Sequence, residues 1–295
     1  CGVVPWGRMG GVEVVTTAAA LREALDGVRR GGGTVGLVPT MGYLHDGHVS
    51  LMDRSVAEND LTATTIFVNP LQFAPTEDLA AYPRDLAGDT ARCEEAGVGV
   101  LFTPTVEEMY PEPILTTVSV SGITATMEGA SRPTHFAGVA TVVAKLFALA
   151  GACRAYFGEK DFQQLAVVRK MALDLSFPVE VVGCPTVREP DGLAMSSRNA
   201  YLTAEERAAA PVIHRALRAG ADAVLAGERD PEVVRALVAG LITAEPLAAL
   251  DYAAVVDART LDVVDPLVGD VRLLAAAKFG RARLLDNLGV TTPTG

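Results

Sequence analysis

Two kinds of apolar patterning take turns along the first two-thirds of the chain. Residues 18–29 (AAALREALDGVR) place Ala, Leu and Val at helical spacing, and the glycines at 31–33 end that helix. Residues 34–38 (TVGLV) form a short apolar run without alternation, which suits a parallel strand buried on both faces. Pro39-Thr40-Met41-Gly42 breaks it. The spacing then predicts a helix from about Gly47 to Asn59, a strand over 63–68 stopped by Asn69-Pro70, a helix over 86–96 and a strand over 98–102. A helix over 138–150, a strand over 155–157, a helix over 161–175 and a strand over 178–184 continue the series. Such strand–helix alternation predicts a doubly wound, Rossmann-like parallel sheet.

From about residue 187 alanine becomes dense and the alternation stops. Thr203-Ala-Glu-Glu206 is a capping box that opens a helix to about 226. Asp230-Pro231 supplies an N-cap and a first-turn proline for a helix to about 244. Residues 252–258, 271–277 and 281–286 read as strands, the last two joined by a hairpin turn at Lys278-Phe279-Gly280. The expected class is α/β: a Rossmann-like domain over 1–186 and a smaller α+β domain over 187–295.

Composition narrows the function. Of 295 residues, 49% are apolar and 21% charged, which excludes disorder over the whole chain. No apolar run reaches the ~18–20 residues of a membrane span; the longest, 139–152, is interrupted by Lys145. A net charge of -11 argues against nucleic acid as a partner. Cys1, Cys93, Cys153 and Cys184 form no C-x-x-C pair, so they read as reduced thiols of a cytoplasmic protein. Residues 1–8 lack the features of a signal peptide and are left out of the fold reading.

Five polar segments carry candidate chemistry. In the first, Gly42-Tyr-Leu-His45-Asp-Gly-His48, two histidines stand where a helix begins after a strand. Free N–H groups and the positive dipole end favour an anion there. A helix cap with two surface histidines is the plainer reading, and a zinc site would need a third ligand such as His135. In the second, Phe67–Phe73, the amides of Asn69 and Gln72 stand at a strand's C-terminal end, the ligand edge of an open α/β sheet; alone it is an ordinary Asn-Pro turn. In the third, Tyr156–Gln164, Lys160 can neutralise phosphate and Gln164 lies one helical turn on; alone it is a solvated Lys–Asp turn. In the fourth, Leu193–Asn199, Ser196, Ser197 and Arg198 form a donor cluster; alone it is an exposed linker. The fifth, Glu128–Phe136, offers Arg132 and His135.

Cationic donors at strand ends of an acidic protein suit a small polyanion such as a nucleotide triphosphate. The phosphate loop G-x-x-x-x-G-K-[ST], a G-x-G-x-x-G turn after the first strand and a G-x-S-x-G elbow are all missing from the sequence.

Pro39-Thr-Met-Gly-Tyr-Leu-His45-Asp-Gly-His48 resembles the HIGH-type signature of adenylate-forming nucleotidyltransferases. With FVNPLQF (67–73), RPTHFAGV (132–139), FGEKDFQQL (157–165) and MSSRN (195–199) in that order, the chain resembles the pantoate–β-alanine ligases from roughly Val12 to Val290. The resemblance implies that ATP and pantoate form pantoyl adenylate and pyrophosphate, and that β-alanine then displaces AMP. It implies an ATP site of Met41, Gly42, Tyr43, Leu44, His45, Asp46, Gly47, His48, Gly158, Glu159, Lys160, Asp161, Val187, Met195, Ser196, Ser197 and Arg198. His48, His45, Lys160, Ser196, Ser197 and Arg198 would be catalytic. Pro39, Thr40, Met41, Asn69, Gln72, His135 and Gln164 would hold pantoate and β-alanine.

The resemblance also implies Mg²⁺ and a homodimer. The family often has neighbouring acidic residues near 88–89; here the pair is Gly88-Asp89, leaving Asp89 to orient the metal. The 195–199 loop has Arg198 where tRNA synthetases carry lysines. Rival readings are another HIGH-type nucleotidyltransferase and a non-catalytic nucleotide-binding regulator.

Overall fold

The structure, a computed structural model, describes residues 11–74, 79–80 and 82–293. Residues 1–8, set aside above, lie outside the described residues. The strands are β1 (Glu13–Val15), β2 (Val35–Thr40), β3 (Leu61–Ile66), β4 (Val100–Phe102), β5 (Cys153–Gly158), β6 (Val179–Cys184), β7 (Ala249–Asp257), β8 (Asp270–Phe279) and β9 (Ala282–Thr291). The helices are α1 (Ala18–Arg30), α2 (Asp46–Glu58), α3 (Leu86–Glu95), α4 (Val106–Met109), α5 (Glu128–Ser131), α6 (His135–Ala150), α7 (Phe162–Asp174), α8 (Ala204–Ala209), α9 (Val212–Leu225) and α10 (Pro231–Thr243).

The chain divides into two units. The first comprises the described residues of Cys1–Val120 with Arg132–Glu159 and Val167–Pro185; the second comprises Ser121–Ser131, Lys160–Ala166 and the described residues of Thr186–Gly295. The sequence reading drew one boundary at 186/187. Two short segments from earlier in the chain join the second unit because side chains distant in sequence tie them there. Arg283 of β9 donates to both carboxylate oxygens of Glu128, at 2.9 and 2.6 Å. The Gln163 amide Nε2 donates to Ile123 O at 2.7 Å and Thr126 O at 2.9 Å.

In the first unit six strands make one parallel, Rossmann-like sheet in the order β1-β4-β3-β2-β5-β6. Its central strands β2 and β3 are buried on both faces, with Leu37, Val38 and Ala63 fully buried, as the run-type pattern predicts. Helix α1 buries Leu21, Leu25 and Val28, the stripe read from its spacing. Chain order runs outward from β2 through β3 and β4 on one side and through β5 and β6 on the other. The switch point lies between β2 and β5, where such sheets bind ligands.

Pro39 does not end β2, contrary to the sequence reading; it stays in the strand, in register with Thr65 of β3. Thr40 O accepts from Phe67 N at 3.1 Å and so faces β3, which turns the Pro39 nitrogen toward β5. There the ladder reaches only Gly36 and Leu37, so no strand bond is lost to the missing N–H. The same early end of the β2–β5 ladder leaves the C-terminal ends of the two strands unpaired with each other. The sequence reading passed over β1, α4 and α5, each too short to show a period.

The second unit has an antiparallel sheet in the order β7-β8-β9. Helices α9 and α10 supply Ile213, Leu217, Val234 and Val238 to its core, with Leu273 and Phe279 from β8. Two expectations are corrected. The helix expected over 203–226 is two, α8 and α9, because Pro211 has no N–H to continue the ladder. The hairpin turn is Gly280-Arg281, since β8 runs through Phe279. The caps at Thr203 and Asp230 form as read: Thr203 Oγ1 accepts from Glu206 N at 3.2 Å, and Asp230 Oδ1 accepts from Glu232 N at 2.8 Å. No helix among the described residues is long and apolar enough to cross a membrane.

Candidate active site

In the first unit the chain leaves β2 through Met41-Gly42-Tyr43-Leu44 and enters α2 at His45, its N-cap, in extended geometry (φ -133°, ψ 175°). His45 Nδ1 accepts the Gly47 N–H at 3.1 Å, and His48 Nδ1 accepts the His45 N–H at 3.3 Å. The two imidazoles form a reciprocal capping box, their centroids 4.1 Å apart. A backbone N–H only donates, so each Nδ1 presents a lone pair and the proton of each neutral ring sits on Nε2. The cap reading and the ligand reading are therefore compatible: one nitrogen of each ring builds the helix start, and the other bears the proton.

The turn before this cap is held by Asp89. Its carboxylate accepts Tyr43 N at 2.8 Å and Leu44 N at 2.6 Å, and the residue is only 3% exposed. Burial pushes the Asp89 carboxyl up, and the two amides draw it back down. Gly42 and Tyr43 both have positive φ, at 84° and 53°. A Cβ on Gly42 would stand 2.9 Å from Asp89 Oδ2 and 2.9 Å from Ile66 Cγ2, so the glycine lets the turn close on the carboxylate. Leu44 lies in the apolar core, and Asp46 is exposed, 3.1 Å from Arg92 Nη1.

Beyond β3, Asn69 caps a 3-10 turn, Pro70–Gln72. Asn69 is 1% exposed and every bond its amide can make is made. Nδ2 donates to Gln72 Oε1 at 3.2 Å and Gly138 O at 3.1 Å; Oδ1 accepts from Leu71 N at 3.3 Å and Tyr110 Oη at 2.9 Å. The sequence reading gave Asn69 to the ligand; in the structure its side chain bonds Gln72. Holding Gln72 Oε1 turns Nε2 toward Met41, with Sδ at 2.9 Å. Thr40 is likewise committed to the scaffold, donating to Thr65 O at 2.6 Å and accepting Gly42 N at 3.2 Å. His135 Nδ1 donates to Gln72 O at 3.0 Å. Gly158 ends β5 in register with Cys184, and Glu159 follows it.

The second unit holds the other donors. Lys160 stands in a 3-10 turn with Nζ 3.8 Å from Asp161 Oδ1. Lys160 and Ser196 line one pocket with Asn199, His214 and Asp286. Ser196 Oγ accepts Arg198 N at 3.3 Å, starting the 3-10 turn that carries Ser197 and Arg198. Met195 N donates to Val187 O at 3.0 Å, which sets these two residues side by side. Gln164 is half-buried on the first turn of α7, while Gln163, one step round the helix, is 2% exposed and structural.

Sequence reasoning missed Tyr110 and Gly138, which fix Asn69. A glycine inside the apolar run of α6 was the available signal, since it marks a close backbone approach. A Cβ on Gly138 would collide with the Leu71 backbone and stand 2.6 Å from Gln72 Cα.

The family model of pantoate-beta-alanine ligases matches residues 13–289. The chain belongs to the pantoate-beta-alanine ligase family. Ligase activity, pantothenate biosynthesis and ATP binding come with the family. The pantothenate synthetase of Roseiflexus sp. (strain RS-1) is 54% identical over 276 residues, covering 94% of this chain and 98% of that protein. That of Moorella thermoacetica is 50% identical over 277 residues, with 94% and 98% covered. The crystal structure of the Thermus thermophilus pantothenate synthetase superposes with a TM-score of 0.90 at 52% identity, covering 95% of this chain and all of that one (100%). The Francisella tularensis ligase, crystallised with beta-gamma ATP and beta-alanine, gives 0.79 at 30% identity, with 94% and 97% covered.

Among the described residues the side chains offer no ready-made multidentate metal site: no group of three or more His, Cys, Asp or Glu is placed to hold a metal ion. Asp89 turns both oxygens to the amides of the turn. The three histidines are not grouped as a metal site, and His45 and His48 turn Nδ1 to backbone amides and so keep the proton on Nε2; the three-histidine zinc alternative is not built among the described residues.

Proposed function

We propose that the chain joins pantoate to β-alanine with ATP, through pantoyl adenylate, releasing AMP and pyrophosphate. The His45–His48 capping box carries this reading, because it fixes two Nε2–H donors at a helix N-terminus beside the sheet's switch point. In the first step a pantoate carboxylate oxygen bonds to the α-phosphorus and the bond to the pyrophosphate oxygen breaks. Negative charge grows on the phosphate oxygens and the departing group, where donors set in place beforehand are worth most. His48 and His45 would donate to it from Nε2, with Lys160, Ser196, Ser197 and Arg198 as further donors. In the second step the β-alanine amine bonds to the acyl carbon, loses a proton, and AMP leaves.

Gln72 and Gln164 would hold the hydroxyl and carboxylate of pantoate. Neutral amides suit this task, because a lasting ion pair would blunt the nucleophile. Mg²⁺ belongs to this proposal as the counter-ion that arrives with the nucleotide, and a second copy of the chain as the partner.

The test is product analysis by mass spectrometry with ATP, pantoate and Mg²⁺, with and without β-alanine. Pantothenate and AMP only when β-alanine is present, with an AMP–pantoate adduct in its absence, is the expected result. No turnover in folded protein would overturn the reading in favour of the regulator.

A further inference from the structure

Strand β9 carries two polar residues side by side in an apolar setting: Asp286 and Asn287 are 4% and 2% exposed. Buried polar groups are unfavourable unless bonded, and a buried ion pair adds little stability over an apolar pair of like volume. Their partners show what they hold. Successive residues of a strand point to opposite faces, so the two reach different segments.

Asp286 takes Arg188 with both oxygens, Oδ2 from Nη1 at 2.6 Å and Oδ1 from Nη2 at 2.9 Å. Arg188 Nη1 also donates to Gly192 O at 3.0 Å, and Arg188 pairs with Ala194 in an antiparallel bridge. The ion pair thus clamps the base of the loop that delivers Ser196, Ser197 and Arg198. On the other face, Asn287 Nδ2 donates to Lys160 O at 2.7 Å. Arg272 of β8 secures this contact twice. Its Nε donates to Asn287 Oδ1 at 2.6 Å, and its guanidinium carbon lies 4.0 Å from the ring centroid of Phe162, two residues past Lys160.

We propose that Asp286 and Asn287 are positioning residues for the phosphate-side donors, Asn287 for Lys160 and Asp286, through Arg188, for the loop of Ser196 to Arg198. Each fixes the backbone from which a donor reaches. The proposal rests on the functional reading above, in which those donors serve adenylate formation and not the later attack of the amine.

The experiment separates the two half-reactions. Pantoate-dependent exchange of labelled pyrophosphate into ATP reports the first; single-turnover transfer of preformed adenylate to β-alanine reports the second. Asn287→Asp keeps the shape and removes the N–H that holds Lys160 O, and Asn287→Ser is the second variant should the first not fold. Positioning predicts that kcat for exchange falls about tenfold or more while KM for ATP and the transfer rate change less than about threefold, because small displacements act on the transition state. Unchanged exchange, or an equal fall in both half-reactions that follows a loss of Tm, would overturn the proposal. Absence of exchange in the folded wild-type protein would overturn the functional reading itself; exchange in wild type that the variants leave untouched overturns the positioning role alone.

Discussion

His48 Nδ1 accepts the backbone N–H of His45 at 3.3 Å, so the ring that would face phosphate also starts the helix it stands on. Scaffold and chemistry can be separated by choice of substitution. Asparagine offers Oδ1 near the place of Nδ1 but has no donor at the place of Nε2. We expect His48→Asn to slow adenylate formation by roughly 10²–10³, as loss of one transition-state donor does elsewhere, with Tm unchanged. His48→Ala should show the same kinetic loss and, in addition, about 0.5–2 kcal/mol less stability from the lost cap. Pyrophosphate exchange and thermal melts on both variants check this; full exchange in His48→Asn removes His48 from the chemistry.

Gly138 and Gln72 form a second coupling, through backbone. Because an alanine methyl at 138 would meet the main chain of Leu71 and Gln72, it cannot be relieved by a change of rotamer. Gly138→Ala is expected to destabilise by about 1–3 kcal/mol, the usual range for overpacking. It should raise KM for pantoate more than KM for ATP. Steady-state kinetics with each substrate varied in turn decide it; equal effects on both would detach this contact from pantoate.

Asp89 gives a test of where the cation sits. Asn in its place keeps one acceptor oxygen and sets an NH₂ against an amide N–H. We expect Asp89→Asn to lower stability by about 1–3 kcal/mol, the range for a buried group left unpaired. The Mg²⁺ concentration for half-maximal turnover should stay as in wild type, since the carboxylate serves the turn at Tyr43 and Leu44. A severalfold higher Mg²⁺ requirement would give Asp89 the metal role that the family resemblance implied.

The legible parts of this molecule were those with a local cause. Strands β2 and β3 showed because they are short unbroken runs buried on both faces, and α1 because one stripe of it is apolar. The His45 and Asn69 loops showed because polar residues and glycines break the apolar pattern at strand ends. Contacts between segments far apart in sequence did not show. Tyr110 reaches Asn69 across 41 positions, Gly138 across 69, and Asn287 reaches Lys160 across 127. Hence the four protein partners of the Asn69 amide did not show. Hence, too, segments 121–131 and 160–166 read as part of the first domain. Pro39 misled for the opposite reason: a local rule was overruled by a ladder that had already ended on that side.

His214 links acid stability to the pocket that holds Lys160 and Ser196. Its Nδ1 is buried without a hydrogen-bond partner, 3.8 Å from Asp286 Oδ2. Burial holds the imidazole below its usual titration, Arg188 and Arg218 push it further down, and Asp286 opposes them. The unfolded chain therefore binds a proton at a pH where the folded protein does not. Stability from this residue is full above the unfolded pKa of about 6.5 and falls away as pH drops toward the lower folded value. Replacing the imidazole by a group that does not titrate removes that slope. We expect melts of wild type between about pH 7.5 and pH 5 to lose Tm more steeply than those of His214→Gln, the curves converging toward acid. Parallel curves would show that His214 titrates alike in the folded and unfolded chain.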